Sequence, residues 1–150
     1  MDKMTIKIRL VDPRAIAPTQ RDGDAGADVY AISDMQVGRV PVRVPLGIAI
    51  EVPYGHVANV VGRSGLSSRG VIVAPGTIDP GYRGEISAIM YSLDRPHNVR
   101  RGDRVAQLVI WQCPRVEYEP CASLPDTGRG ANGFGSTGYG ESYRTHGNSG

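Results

Sequence analysis

The sequence predicts an all-β fold, a jelly roll or barrel of many short strands with one short helix. Three observations carry that expectation. Twenty glycines and eleven prolines punctuate the chain, and Val and Ile fall in short bursts between them, as in a turn-rich β protein. Apolar residues recur with a period of two, most clearly from Val40 to Val52, where Val40, Val42, Val44, Leu46, Ile48, Ile50 and Val52 hold the even positions. Only one stretch, Gly65 to Arg69, reads as helical. A length of 150 residues fits a single domain with its own core.

The elements follow in order. Residues 4–11 alternate and read as a first strand. The run 40–52 is broken at Pro45, so it is two half-buried strands or one bent strand. Further strands are expected at 56–61, 71–73, 85–92, 104–110 and 115–119, separated by Gly, Pro and Asp turns. Ser64 is placed to cap the helix. Many short strands with so little helix argue for a jelly roll or barrel. After Leu124, Gly, Ser, Thr and Asn dominate and the period disappears. Residues 1–123 are therefore expected to form the core, and 124–150 a flexible arm that orders around a ligand. No internal repeat is evident.

Charge and cysteine usage narrow the class. Seventeen basic against fifteen acidic residues leave a net charge of +2, which argues for neither a nucleic-acid nor a membrane partner. All the basic residues except Lys3 and Lys7 are arginine. That suits bidentate phosphate recognition, and a composition bias accounts for it equally well. Cys113 and Cys121 fit no zinc spacing and make a poor disulfide framework, so reduced thiols are expected. His56, His97 and His146 lack metal-ligand spacing. With no signal peptide, lipidation motif or long apolar run, a soluble cytoplasmic protein is expected.

Five segments could carry chemistry. In Asp24-Ala-Gly-Ala-Asp28 the small residues let the backbone turn closely; Asp28 either holds hydrated Mg²⁺ or belongs to an acidic surface turn. Gly62-Arg-Ser-Gly-Leu-Ser-Ser-Arg69 offers a guanidinium, a hydroxyl and free N–H groups to an anion, or is a capped surface helix. Gly76-Thr-Ile-Asp-Pro-Gly-Tyr-Arg-Gly-Glu85 signals a hairpin whose tip would bring the Asp79 carboxylate, a candidate general base, beside the phenol of Tyr82. Gln107 is the polar exception in the apolar run after Gly102, and either satisfies a buried backbone group or faces a ligand. Arg129-Gly-Ala-Asn-Gly-Phe-Gly-Ser-Thr-Gly138 holds the single phenylalanine. A ring there could stack on a flat base while Arg129, Ser136 and Thr137 bind phosphate. The segment nearly imitates a Walker A loop, but Ser136 stands where lysine is needed and no strand leads in, so a P-loop NTPase is rejected.

Taken in order, these segments resemble the five motifs of the trimeric dUTP pyrophosphatase (dUTPase) family, from about residue 5 to 138. The resemblance implies a β-clip type, dUTPase-like jelly roll that forms a homotrimer, its active sites shared between subunits and covered by the glycine-rich arm. It implies hydrolysis of dUTP to dUMP and pyrophosphate with Mg²⁺. Asp79 would activate the attacking water, and Asp28 would hold the metal through water. Arg63, Ser64, Gly65 and Gln107 would contact phosphate, Tyr82 the deoxyribose, and backbone at Gly76 and Ser87 the uracil edge. Phe134 would cover the base, with Arg129, Gly135, Ser136 and Thr137 on the γ-phosphate. Gly62 stands where many members have proline, and Ser67-Ser-Arg-Gly70 replaces the usual Ala-x-Lys-His. The related dCTP deaminases carry a catalytic glutamate where this chain has Ile89, and an apolar group cannot shuttle the proton. A third reading, a regulatory protein switched by bound nucleotide, rests on the arm and on the residues beyond the fifth motif.

Overall fold

A computed structural model describes residues 2–135 and 138. The chain divides into two compact units, Met1–Arg115 and Val116–Gly150. The division lies earlier than the composition change at Leu124, because regular pairing ends at Gln112.

The first unit is β throughout, apart from one helical turn. Its elements are β1 (Lys7–Leu10), β2 (Ala27–Tyr30), β3 (Met35–Val37), β4 (Val42–Glu51), β5 (His56–Val61), α1 (Ser64–Ser67), β6 (Val71–Ala74), β7 (Gly76–Ile78), β8 (Ile86–Ser92), β9 (His97–Val99) and β10 (Arg104–Gln112). They form two four-stranded sheets, β1-β4-β8-β6 and β2-β10-β5-β7, with a small β3-β9 ribbon. Every pairing among the described residues is antiparallel. The inward residues of both sheets, among them Val44, Leu46, Ile48, Val60, Ala88, Met90, Val105 and Ala106, make one continuous core.

The run 40–52 resolves into one bent strand. The register of β4 against β8 shifts between Pro45 and Ile48, and Gly47 at the shift has a φ of +69°. A Cβ on Gly47 would lie 2.8 Å from Ile32 Cγ2 and 2.9 Å from Ala15 Cβ, so both its conformation and its surroundings demand glycine. Its carbonyl accepts the Val11 N–H at 2.8 Å. Just beyond, the Arg14 guanidinium grips Asp12 at 3.0 Å and holds that carboxyl down at about 2.

Several expectations need correction. The first strand spans only Lys7–Leu10 and is exposed throughout, because as an edge strand it covers no second layer. Val40 lies outside β4 and is exposed. Residues 115–119 form no strand; Pro114 and Pro120 bracket them and withhold ladder donors. Ser64 is not the cap. Arg63 occupies that position with extended backbone and makes no side-chain cap, while Ser64 opens the helical turn. Three short elements, β3, β7 and β9, escape a period-of-two reading because three residues cannot establish a period.

Candidate active site

Strand β10 is the hub of the site. It pairs with β2 on one side and β5 on the other, with Gln107 opposite both Asp28 and Val61. The chain leaves β5 at Val61 and passes through Gly62 and Arg63 into α1. Three segments distant in sequence therefore meet at one end of this sheet.

Asp28 lies there between two guanidinium groups. Arg63 Nε is 3.2 Å from one carboxylate oxygen and Arg104 Nε is 3.8 Å from the other. Arg63 also donates through Nη1 to the Arg104 carbonyl at 3.1 Å, and the Arg104 guanidinium covers the Tyr30 ring at 5.9 Å. Gln107 Nε2 donates to the Gly62 carbonyl at 3.0 Å, so it satisfies backbone and also lines the cleft. Gly26 explains the small residues before Asp28: a Cβ there would come within 2.9 Å of Gln107 Oε1 and 3.0 Å of Val109 Cγ2.

Around this core runs a polar cleft of about 810 Å³, which Ser64 and Gly65 also line. The first intrahelical donor of α1 is the Leu66 N–H, bonded to the Arg63 carbonyl at 3.1 Å. The N–H groups of Ser64 and Gly65 precede it, in the position where a helix end leaves donors for an acceptor from outside. Arg21, Arg69 and Arg104 add cationic groups, Arg21 and Arg104 without any signal in the sequence. Arg104 opens a strand, and only the register of β2 brings it to Asp28. The arrangement suits an anion with several oxygens.

A second, smaller pocket of about 180 Å³ lies at the other motif. Asp79, Pro80, Gly81 and Tyr82 form a turn closed by the Tyr82 N–H on the Asp79 carbonyl at 3.1 Å. Gly76, Asp79, Tyr82 and Ser87 line the pocket together with Ile89. Strand β7 is the last in its sheet, and so its outer backbone groups have no ladder partner there. Ser87, on β8, an inner strand of the other sheet, pairs opposite Pro45. The β7 edge therefore leaves backbone groups able to read a small planar ligand. No residue lines both this pocket and the cleft.

The fifth segment belongs to the second unit. Arg129 and Asn132 close a turn, with Arg129 Nε donating to the Asn132 carbonyl at 2.9 Å and the Asn132 N–H to the Arg129 carbonyl at 3.2 Å. Phe134 has a φ of +50°, unusual for a residue with a Cβ, and its ring is fully exposed, next to Gly135. Ser136 and Thr137 lie outside the described residues.

Comparison with known proteins decides the family. A family model described as dUTPase matches residues 12–138. The chain belongs to the dUTPase family. A deoxyuridine 5'-triphosphate nucleotidohydrolase from Solibacter usitatus is 44% identical over 144 residues, covering 91% of this chain and 97% of that protein. One from Streptomyces avermitilis is 43% identical, covering 90% and 81%. Among solved structures, a Staphylococcus bacteriophage 80alpha dUTPase with dUPNHPP superposes with a TM-score of 0.83 at 24% identity, covering 91% of this chain and all of that one. A mutant dUTPase from phage phi11 of S. aureus, in which a structural Mg(II) ion is coordinated, matches with a TM-score of 0.73 at 22% identity over 81% of this chain and 99% of that one. These likenesses establish the dUTPase jelly roll. The relatives establish the enzyme class, dUTP hydrolysis.

The donor set indicates what sort of metal the dUTPase site fits. Among the described residues no group of three His, Cys, Asp or Glu side chains converges. One carboxylate flanked by arginines does not make a cage for a resident ion. It does fit Mg²⁺ that keeps most of its waters and arrives on phosphate oxygens. No helix among the described residues is long and apolar enough to cross a membrane.

Proposed function

We propose that this dUTPase converts dUTP to dUMP and pyrophosphate by in-line attack of water on the α-phosphorus, with Asp79 orienting and deprotonating that water. The observation that carries the reading is the separation of two complementary half-sites on one subunit. The cleft is rich in guanidinium groups and suits a triphosphate, while the hairpin pocket has the Asp79 carboxylate, a phenol and a free strand edge. Neither half is a complete site. A homotrimer in which the hairpin of one subunit faces the cleft of another, with the arm of the third closing above, would complete each of them.

The roles follow from the chemistry. Arg63, Ser64, Gly65 and Gln107 bind phosphate oxygens and hold the chain of phosphates in line. Backbone at Gly76 and Ser87 reads the uracil edge, and the Tyr82 ring lies against the deoxyribose where a 2'-hydroxyl would collide. Phe134 stacks on the base while Arg129, Gly135, Ser136 and Thr137 hold the γ-phosphate. Asp28 would hold Mg²⁺ through water, and the ion would supply charge neutralisation to the triphosphate. When the nucleotide arrives, Arg63 exchanges its carboxylate partner for phosphate. Phosphoryl transfer needs positioning and neutralised charge more than covalent help, which this set of groups supplies.

Ile89 weighs against deamination of dCTP. It is 43% exposed and lines the hairpin pocket, presenting an alkyl group where a deaminase needs a carboxylate. Hydrolysing dUTP would limit uracil in DNA and supply dUMP for thymidylate synthesis. The test is a product assay with dUTP, dCTP, dTTP and UTP, each with Mg²⁺ and with EDTA. Pyrophosphate released from dUTP alone, and only with metal, is the expected result. Ammonia from dCTP, or equal turnover of UTP, would overturn the reading.

A further inference from the structure

Tyr82 is 45% exposed, yet its ring is held at both ends. The backbone N–H closes the turn on Asp79, and the phenol O–H donates to the Glu85 carbonyl at 3.1 Å. Gly84 lies directly beneath the ring. A Cβ there would overlap the Tyr82 hydroxyl oxygen and come within 2.6 Å of Cζ and 3.1 Å of Cε2. The ring thus lies flat on backbone that only glycine leaves bare.

The residue whose carbonyl Tyr82 grips is itself anchored. Glu85 Oε1 accepts the Gly47 N–H at 3.1 Å. Gly47 is packed closely against Ile32 and Ala15, with no room for even a methyl group on it. A chain of contacts therefore runs from the core bend of β4, through the Glu85 carboxylate and its own carbonyl, to the Tyr82 hydroxyl. Glu85 lines the hairpin pocket beside Tyr82, and the mechanism above gives it no part.

We infer that Glu85 is a positioning residue that fixes the plane of the Tyr82 ring, and so sets how strictly the enzyme rejects a ribose. The inference rests on the reading of Tyr82 as the wall beside the deoxyribose. A ring tied at the hydroxyl cannot swing away from an incoming 2'-hydroxyl, whereas a ring tied only at its Cα can. Discrimination then depends on the tether as well as on the ring.

The experiment compares kcat and KM for dUTP and UTP in the wild type, Glu85→Ala, Glu85→Gln and Tyr82→Phe, with the melting temperature of each. Glu85→Ala removes the carboxylate that anchors residue 85 to Gly47 and so loosens the neutral bond from the Tyr82 O–H to the carbonyl of residue 85. This is expected to lower the dUTP-over-UTP ratio of kcat/KM about fivefold. Most of that change appears in KM, with kcat for dUTP within about twofold. Glu85→Gln keeps an oxygen acceptor for the Gly47 N–H and restores the ratio. Tyr82→Phe keeps the ring and drops the O–H, and lowers the ratio by a similar factor. Adding Glu85→Ala to it lowers the ratio no further. An unchanged ratio in Glu85→Ala below its melting temperature would overturn the inference, as would a Glu85→Gln enzyme as permissive as Glu85→Ala. If Glu85→Ala does not fold, Tyr82→Phe and Glu85→Gln decide the matter alone. A wild type that fails to turn over dUTP, or fails to prefer it, would instead strike down the function proposed above.

Discussion

At the scale of single residues, the site separates groups that make bonds from groups that make room. Asp79 is exposed at a turn with its carboxylate in the hairpin pocket, free to hold a water. Asp79→Asn is expected to reduce kcat by at least about a thousandfold while leaving the affinity for a non-hydrolysable dUTP analogue within a few-fold. Single-turnover kinetics and calorimetry would check the two halves of that claim. Phe134 is fully exposed and has little packing to lose. Phe134→Ala should leave the melting temperature unchanged and cost about 1–3 kcal/mol of transition-state stabilisation, the worth of one stacked base. A loss in turnover equal to that of Asp79→Asn would mean that the ring does more than stack. The sequence already singled out both residues, because each is chemically out of place in its surroundings: a carboxylate in a turn between apolar strands, and an aromatic among glycines.

At the scale of elements, a glycine decides how closely two strands approach. Gly26 precedes β2 and lies against β10, where a Cβ would press on Gln107 Oε1 and Val109 Cγ2. Gly26→Ala is expected to destabilise the fold by about 1–3 kcal/mol through overpacking, and to disturb the bond from Gln107 to the Gly62 carbonyl. Denaturant unfolding would give the first effect and the KM for dUTP the second. An unchanged KM would show that Gln107 is not held by this packing. The long strands β4, β5, β8 and β10 were legible because five or more alternating residues reveal their period. The three-residue strands β3, β7 and β9 were not. Neither was the exposure of β1, since alternation in an edge strand looks the same whether or not a second layer covers it.

At the scale of the whole molecule, the proposed division of the site between a cleft and a pocket predicts a homotrimer. Light scattering is expected to give three times the chain mass of 16.1 kDa. Asp79→Asn and Arg63→Gln enzymes, each inactive alone, should regain part of the wild-type activity when unfolded and refolded together. Mixed trimers would contain some sites that draw an intact hairpin from one subunit and an intact cleft from another. No recovery from the mixture would mean that both halves of each site come from one chain. The sequence was sufficient for the β class and the family, and it nominated candidate residues, because those depend on local chemistry: period, turn residues and the spacing of polar groups along the chain. It did not reveal that Arg104 and Arg63 share Asp28, that Gly84 lies under Tyr82, or that Glu85 reaches the bend of β4. Those contacts join residues brought together by strand register and backbone bending. A pattern read along one strand carries no record of which strand will lie beside it.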